Sequence, residues 1–286
     1  MDFRSIKYEV NDGVATVTIN RPEQRNTVTY EVLDELIAAY SQAEEDRSVR
    51  VIVLTSTGEF FSAGTDLSAG SGGYDSDSAG FKPLRGGKRD VGGELALKMF
   101  ASNKVLVAAI NGTAVGIGIT MILPMDIRIA SDEARFGMPF VRRGIIPESC
   151  ASWFLPRLVG IATATDWALT GRIFPASEAL SAGLVRELVP SAEVLNRAME
   201  VAREIASNTS AVSIALTRNM LWRQLGSPHP MTANQLESQA LLVLGSMADA
   251  KEGVAAFKEK RSAQFILTTD DLPAFVPWWK EPRFDE

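Results

Sequence analysis

Val105-Leu106-Val107-Ala108-Ala109-Ile110-Asn111-Gly112-Thr113-Ala114-Val115-Gly116-Ile117-Gly118-Ile119-Thr120 reads as three pieces in succession. Residues 105–110 form a short apolar, β-branched run, the pattern of a strand covered on both faces. Asn111-Gly112 marks a turn. The glycines that follow lead into a short apolar helix. A helix N-terminus carries unsatisfied N–H donors and the positive end of the dipole, so this is a natural place for negative charge. The pattern is not a dinucleotide fingerprint, because Gly116-Ile117-Gly118 runs into Ile119-Thr120-Met121 with no third glycine. It is not a P-loop either, since no Gly-Lys-Ser/Thr follows.

A similar arrangement stands upstream. Val51-Ile52-Val53-Leu54 is a second β-branched run, followed by Phe60-Phe61-Ser62-Ala63-Gly64-Thr65-Asp66-Leu67. Gly64 permits a tight turn, and Asp66 is placed to cap whatever helix follows. Either segment alone is an ordinary strand-to-helix turn. Together, two loops that each follow a strand are able to aim one backbone N–H at a shared point. That is an oxyanion hole. It suits a thioester carbonyl, which gains negative charge when its α-carbon is deprotonated or its β-carbon attacked.

Outward from these segments the pattern alternates. Residues 14–20 alternate as a strand and end at Asn20-Arg21-Pro22. Val32, Leu33, Leu36, Ile37 and Tyr40 follow helical spacing, with Thr29 as cap and Glu31 in the first turn. Ile127-Arg128-Ile129-Ala130 is a further strand candidate. Strands alternating with helices predict right-handed βαβ units and a parallel sheet. Residues 70–93, rich in Gly, Ser and Asp and then in Lys and Arg, read as a long loop, either a tolerated insertion or a lid. From Ser149 onward the chain reads as helical over 191–207, 211–225, 232–247 and 251–261, with a short strand at 185–189. The tail Phe275-Val276-Pro277-Trp278-Trp279 is expected to pack on its own body or on a neighbouring subunit.

Composition narrows the function. The chain has 286 residues, with 29 basic and 35 acidic side chains and a net charge of −6. This balance argues against non-specific nucleic-acid binding. Cys150 is the single cysteine, so no disulfide forms within the chain and a reducing compartment is expected. His229 is the single histidine, in the loop-like Ser227-Pro228-His229-Pro230. A Cys/His zinc cluster is therefore excluded, and a Ser-His-Asp triad would depend on a surface histidine. The N-terminus is charged and lacks an apolar signal core, and no stretch approaches the ~18 apolar residues of a membrane span. The expectation is a soluble, cytoplasmic protein with no metal and no membrane partner.

The pieces Ile19-Asn20-Arg21-Pro22, Phe61-Ser62-Ala63-Gly64-Thr65-Asp66-Leu67, Ile110-Asn111-Gly112-Thr113-Ala114-Val115-Gly116-Ile117-Gly118, Asp126-Ile127-Arg128-Ile129-Ala130, Gly171-Arg172, Ala182-Gly183-Leu184-Val185 and Lys251-Glu252-Gly253 occur in this order. Jointly they resemble the crotonase superfamily, the enoyl-CoA hydratase/isomerase group, over residues 14–265. The resemblance implies an α/β fold, a crotonase-type spiral of ββα repeats over 1–200 that holds an acyl-CoA site. It implies a helical C-terminal trimerisation region over 201–286 that also closes the site, and a homotrimer or homohexamer. Coenzyme A enters as part of the substrate, with no separate cofactor. The family's oxyanion donors fall on the backbone of Thr65 and Ile117, although the glycine triplet around Ile117 is incomplete. Its CoA contacts fall on Ala63 and Leu67 for the adenine, with Arg25 as a basic residue and Lys260 reaching from an adjacent chain. Lys104 is a further basic residue placed near the ligand end.

The carboxylates depart from the family. Hydratases hold water between two glutamates, at positions that here carry Thr120 and Phe140. Gly144-Ile145-Ile146-Pro147-Glu148-Ser149 instead offers Glu148 at the start of a helix, in a Pro-Glu context similar to that of some enoyl-CoA isomerases. Ile145, Ile146, Phe140, Trp153 and Phe154 are expected to make its surroundings apolar and so to raise its pKa. Phe140 and Trp153 are expected in the acyl pocket. Asp126 reads as structural. Asp75, Asp77, Asp90 and Glu94 lie in or beside the 70–93 loop, and solvation is the default for each. The reading is an enoyl-CoA hydratase/isomerase-type enzyme with one catalytic glutamate, isomerisation being slightly favoured. The alternatives are a CoA-thioester or C–C bond hydrolase on the same fold and a non-catalytic acyl-CoA binder.

Overall fold

In the computed structural model, residues 3–68, 84–85, 89–275 and 282–284 are described, with backbone alone at 84–85. Most of the 70–93 loop, with Asp75 and Asp77, and the Trp278-Trp279 tail lie outside the described residues.

The chain opens with the antiparallel pair β1 (Ile6–Asn11) and β2 (Val14–Ile19), then α1 (Tyr30–Glu45). The Thr29 side chain accepts from Val32 N–H and caps α1 as expected. A first ββα unit follows, made of β3 (Val51–Ser56), β4 (Phe60–Ser62), the two-residue strands β5 (Leu84–Arg85) and β6 (Arg89–Asp90), and α2 (Val91–Ala101). The second is β7 (Val105–Ile110), β8 (Thr113–Val115) and the one-turn α3 (Ile117–Thr120). The third is β9 (Ile127–Ser131), β10 (Arg135–Gly137) and α4 (Ala151–Thr170). Then come β11 (Ile173–Pro175), α5 (Ala176–Ser181), β12 (Glu187–Val189) and four helices, α6 (Val194–Asn208), α7 (Ala211–Arg223), α8 (Met231–Leu244) and α9 (Ala248–Glu259).

Each ββα unit places its first strand in one sheet and its second in another. The larger sheet has the order β1-β2-β3-β7-β9-β12, and the smaller β11-β10-β8-β4. From β2 to β12 the larger sheet is parallel. Alternate residues of a strand face opposite sides, and β3 and β7 use both. Ile52, Leu54, Leu106 and Ala108 join α1 and α2 in the main core. Val51, Val53, Val105 and Val107 pack on Val194, Ala198 and Val201 of α6. This is why both runs are continuously apolar.

The short strands of the smaller sheet carry no pattern of their own at three residues each, and they were not visible as strands in the sequence. The second of the four C-terminal helices, α7, is tied to the body by buried Arg218. Its Nε donates to Asp126 at 2.7 Å, and its other nitrogens donate to the carbonyls of Met99, Phe100 and Ser102 at the end of α2. Asp126 also accepts from Leu106 N–H and Trp222 Nε1, a structural role. The helices α7 and α8 share a small separate core of Val212, Leu216 and Ala240. Leu221, Leu242 and Phe257 on these C-terminal helices stay exposed. Among the described residues, no helix is long and apolar enough to cross a membrane.

Candidate active site

The strands β4 and β8 are parallel neighbours, so the loops at their C-terminal ends lie side by side. The contact is backbone on backbone. A Cβ on Gly64 would come 3.0 Å from the Val115 carbonyl oxygen, and one on Gly116 would lie 3.6 Å from Gly64 Cα. Gly116 has φ +60° and ψ −126°, a conformation that side chains disfavour. Its N–H donates to Gly137 O at 3.0 Å, and α3 starts at the next residue. Ile117 N–H is therefore an orphan donor of a helix start.

On the other loop, Val28 N–H donates to Gly64 O and Asp66 N–H to Val28 O. Successive N–H groups of extended chain point to opposite sides, so Thr65 N–H faces away from Val28. Among the described residues, no hydrogen bond uses the N–H of Thr65 or of Ile117. The Ile117 side chain is buried in the main core. The middle position of the incomplete glycine triplet thus offers its N–H while its side chain stays in the interior.

A cleft of about 600 Å³ runs along this junction, lined in part by Ala63, Thr65, Leu67, Gly116, Phe140 and Arg143. Arg21 and Gln24 line it too. Arg21 is committed to Asp66 at 3.2 Å and to the Thr27 carbonyl. Hydrogen bonds from Ser68, and then from Thr27 and Arg21, hold the Asp66 carboxyl down at about 2. Arg143 is different. It is exposed, and its guanidinium has no partner among the described residues. Neither Gln24 nor Arg143 was singled out from the sequence. A basic residue on a turn after a buried aromatic carries no distinguishing signal.

The other anticipated residues are dispersed. Arg25 has left-handed backbone, its carbonyl accepts from Ala63 N–H at 3.0 Å, and its guanidinium lies 5.4 Å from the Phe60 ring centre. It stands beside the lining rather than in it. Lys260 ends α9, exposed and away from the cleft lining. Trp153 packs edge-on against Phe100 and Phe154, near Trp222, with Arg157 over its face, outside the cleft lining. Lys104 does not approach a ligand. It is buried, and its Nζ donates to the carbonyls of Asp46 and Val49 and to Thr269 Oγ1.

Glu148 lies just ahead of α4 rather than inside its first turn. Ser149 and Cys150 both take φ +56°, and this left-handed pair separates Glu148 from the helix. The residue is partly exposed as a whole, but its carboxyl is enclosed. Thr120 Oγ1 donates to Glu148 Oε1, and Ser149 Oγ donates to Oε2. Gly92 leaves room for the group, because a Cβ there would collide with Glu148 Oε2 and Ser149 Oγ. Its immediate neighbours are thus polar or small. Ile146, expected to shield it, is 81% exposed. Burial, reinforced by the charge of Asp90, pushes the Glu148 carboxyl up to about 7 against the two hydroxyl bonds that lower it.

Asp90 was expected to be solvated and is not. It caps α2, taking Gly92 N–H at 3.0 Å on Oδ1 and Gly93 N–H at 2.8 Å on Oδ2. Ser149 N–H also donates to Oδ2, at 2.8 Å. The readable signal was an aspartate just before the apolar spacing Val91, Leu95, Ala96 and Met99. Among the described residues, no group of three or more His, Cys, Asp or Glu side chains is arranged to hold a metal ion.

The chain is similar to known proteins over most of its length. The family model described as enoyl-CoA hydratase/isomerase matches residues 9–267. The enoyl-CoA hydratase ACTT3 of Alternaria alternata is 43% identical over 255 residues, 89% of this chain and 83% of that protein. The 1,2-epoxyphenylacetyl-CoA isomerase of Escherichia coli is 34% identical over 274 residues, 93% of this chain and 98% of that protein. The crystal structure of an enoyl-CoA hydratase from Bacillus anthracis superposes with a TM-score of 0.82 at 30% identity, covering 92% of this chain and 99% of the other.

Proposed function

This chain belongs to the enoyl-CoA hydratase/isomerase family and has its crotonase fold, and we propose that Glu148 alone carries its acid–base chemistry, in a 1,3-proton transfer on an enoyl-CoA. As an enzyme of that family it acts on an acyl-CoA thioester. The observation that carries the proposal is an enclosed carboxyl at about 7, held by two hydroxyls and, among the described residues, with no free second carboxylate beside it. Asp90, the nearby acid, is already occupied by three backbone N–H groups. A group poised near neutrality takes up and gives back a proton with little penalty.

In this reading the Glu148 carboxylate removes a proton from C2 of a 3-enoyl-CoA. The electron pair moves onto the thioester oxygen, which Thr65 and Ile117 N–H groups stabilise. Protonated Glu148 then returns the proton at C4, and the double bond ends between C2 and C3. No water, metal or second acid is consumed. Phe140 in the cleft lining supplies apolar surface for the acyl chain, and the Trp153 cluster, outside that lining, would do so only for a chain that extends past it. Arg143, Arg25 and the backbone at Ala63 and Leu67 hold the CoA portion. The exposed apolar side chains of α7 to α9 support a homotrimer or homohexamer, which would also bring Lys260 to a neighbour's site. The lone Cys150 suits a reducing, cytoplasmic location.

Hydration is the second reading, favoured by the name of the Alternaria relative. A panel of 2-enoyl- and 3-enoyl-CoA esters, incubated in heavy water with mass detection, separates the possibilities. Proton transfer gives interconverted isomers carrying deuterium and no hydroxyacyl-CoA. A product heavier by one water establishes hydration instead. Release of free CoA establishes hydrolysis, and saturable binding without turnover of any ester establishes a binder.

A further inference from the structure

Glu148 sits on a turn whose backbone is left-handed at two successive residues, Ser149 and Cys150. Neither is glycine, so the turn needs something to hold it. Within it, the Ser149 amide has a specific acceptor, Oδ2 of Asp90, across 59 positions of chain. The same oxygen accepts Gly93 N–H, and Oδ1 accepts Gly92 N–H. Gly92 is the residue against which the Glu148 carboxyl rests. One side chain therefore joins the start of α2, the glycine under the carboxyl and the amide next to it.

We propose that Asp90 is a positioning residue for Glu148: it clamps the Glu148–Ser149 turn onto the N-terminus of α2 and sets the electrostatics of the Glu148 carboxyl through its own charge. The inference rests on the acid–base role of Glu148 proposed above. Asp90 itself does not exchange protons with substrate, because its oxygens are taken by backbone donors. A like charge close to a carboxyl disfavours its ionised form. Asp90 thereby keeps a proton on Glu148 to higher pH. Among the described residues, the groups facing Glu148 are Asp90, which caps α2, Gly92 from α2, Thr120 from α3, and Ser149 on its own turn, with Arg89 acting on the adjacent Cys150 thiol. Thr120 and Ser149 favour the charged form and Asp90 the neutral one, so removal of Asp90 has a definite sign.

Two variants separate the charge from the clamp. Asp90→Asn removes the charge and keeps one oxygen to accept from the Gly93 and Ser149 N–H groups. Asp90→Ser keeps a good helix cap, at little cost to folding, but its side chain is too short to span to the Ser149 amide. In both, the pH at which turnover changes with Glu148 ionisation moves toward acid by roughly one pH unit. Asp90→Ser also loses roughly tenfold in kcat, since the turn is no longer clamped, with KM little changed. The ionisation of Glu148 is read independently of activity from its carboxyl band by infrared difference spectroscopy against Glu148→Gln. An unmoved band in folded Asp90→Asn overturns the charge role, and wild-type kcat in Asp90→Ser overturns the clamp. If the band moves while turnover ignores it, the Asp90 inference stands and the acid–base assignment of Glu148 fails.

Discussion

The two halves of the proposed site are built from different material. The oxyanion half is backbone. Thr65 and Ile117 are brought together because β4 and β8 are neighbours in one sheet, and glycines at 64 and 116 let the loops touch. The proton-transfer half is side chain. Glu148 is held by Thr120, 28 positions away, and its turn by Asp90, 59 positions from Ser149. A backbone donor survives a change of side chain, so in the proposed site isoleucine would serve where the family pattern has glycine. A side-chain network does not, and each member has a sign of its own effect on Glu148. Substitutions should therefore be sharp at Glu148, sharp at Ile117 only where the N–H is lost, and graded at the hydroxyls.

The largest effect is expected at Glu148. Glu148→Gln keeps shape and most hydrogen bonding but does not exchange the proton. Turnover on the best enoyl-CoA should drop by about 100- to 10,000-fold, with acyl-CoA affinity little changed and α-carbon deuterium exchange falling in parallel. Retained turnover and exchange would move the chemistry to another acid. The backbone half is tested by a pair of substitutions. Ile117→Pro removes the N–H and should cost about 100- to 1,000-fold in rate, whereas Ile117→Ala keeps the donor and should stay near wild type in kcat. Circular dichroism must show both folded. Equal activity in the two variants contradicts a donor at 117.

A smaller effect separates the hydroxyls from the charge. Thr120→Val removes the donor to Oε1 and leaves the shape. A hydrogen bond to a carboxylate favours ionisation, so its loss raises the Glu148 pKa. The rise of kcat with pH should move to higher pH by about one unit, opposite in direction to Asp90→Asn. At neutral pH this appears as roughly a fivefold loss that is largely recovered under alkaline conditions. A uniform loss at every pH would assign Thr120 to substrate contact instead.

The contrast between the halves also explains how much was legible in the sequence. The two loops proposed to form the oxyanion hole were readable as loops because strand runs and glycines are local signals, and sheet pairing then brings them together. Helices α1 and α7 to α9 were readable from spacing and caps. Glu148 itself was readable as the remaining acid in a Pro-Glu context. Its partners were not. Thr120 appears only as a missing glutamate, Asp90 as a loop residue, and the shielding is expected from Ile145, Ile146, Phe140, Trp153 and Phe154, of which Ile146 faces solvent. These contacts depend on how α2, α3 and the turn before α4 meet, and no local pattern records that. Arg143 and Lys104 make the same point for charge, one at the cleft without a partner among the described residues and the other buried as a strut.

The smallest effect concerns stability rather than rate. An enclosed carboxyl at about 7 differs from its ordinary value of 4.5 by enough to couple folding to pH. Between those values the folded chain holds a proton that the unfolded chain has released. Stability must therefore fall as pH rises through this window, and the fall levels off above the folded value. The full difference corresponds to about 3 kcal/mol as an upper order of magnitude. Glu148→Gln is neutral throughout and lacks this slope, while all other titrating groups contribute equally to both proteins. The melting temperature of the Gln variant, measured against wild type at pH 5 and pH 8, should therefore gain a few degrees relative to wild type at the higher pH. A difference that stays constant across that range would mean that the Glu148 carboxyl ionises as freely in the folded protein as in water, and with it the argument for a neutral-range proton shuttle would fall.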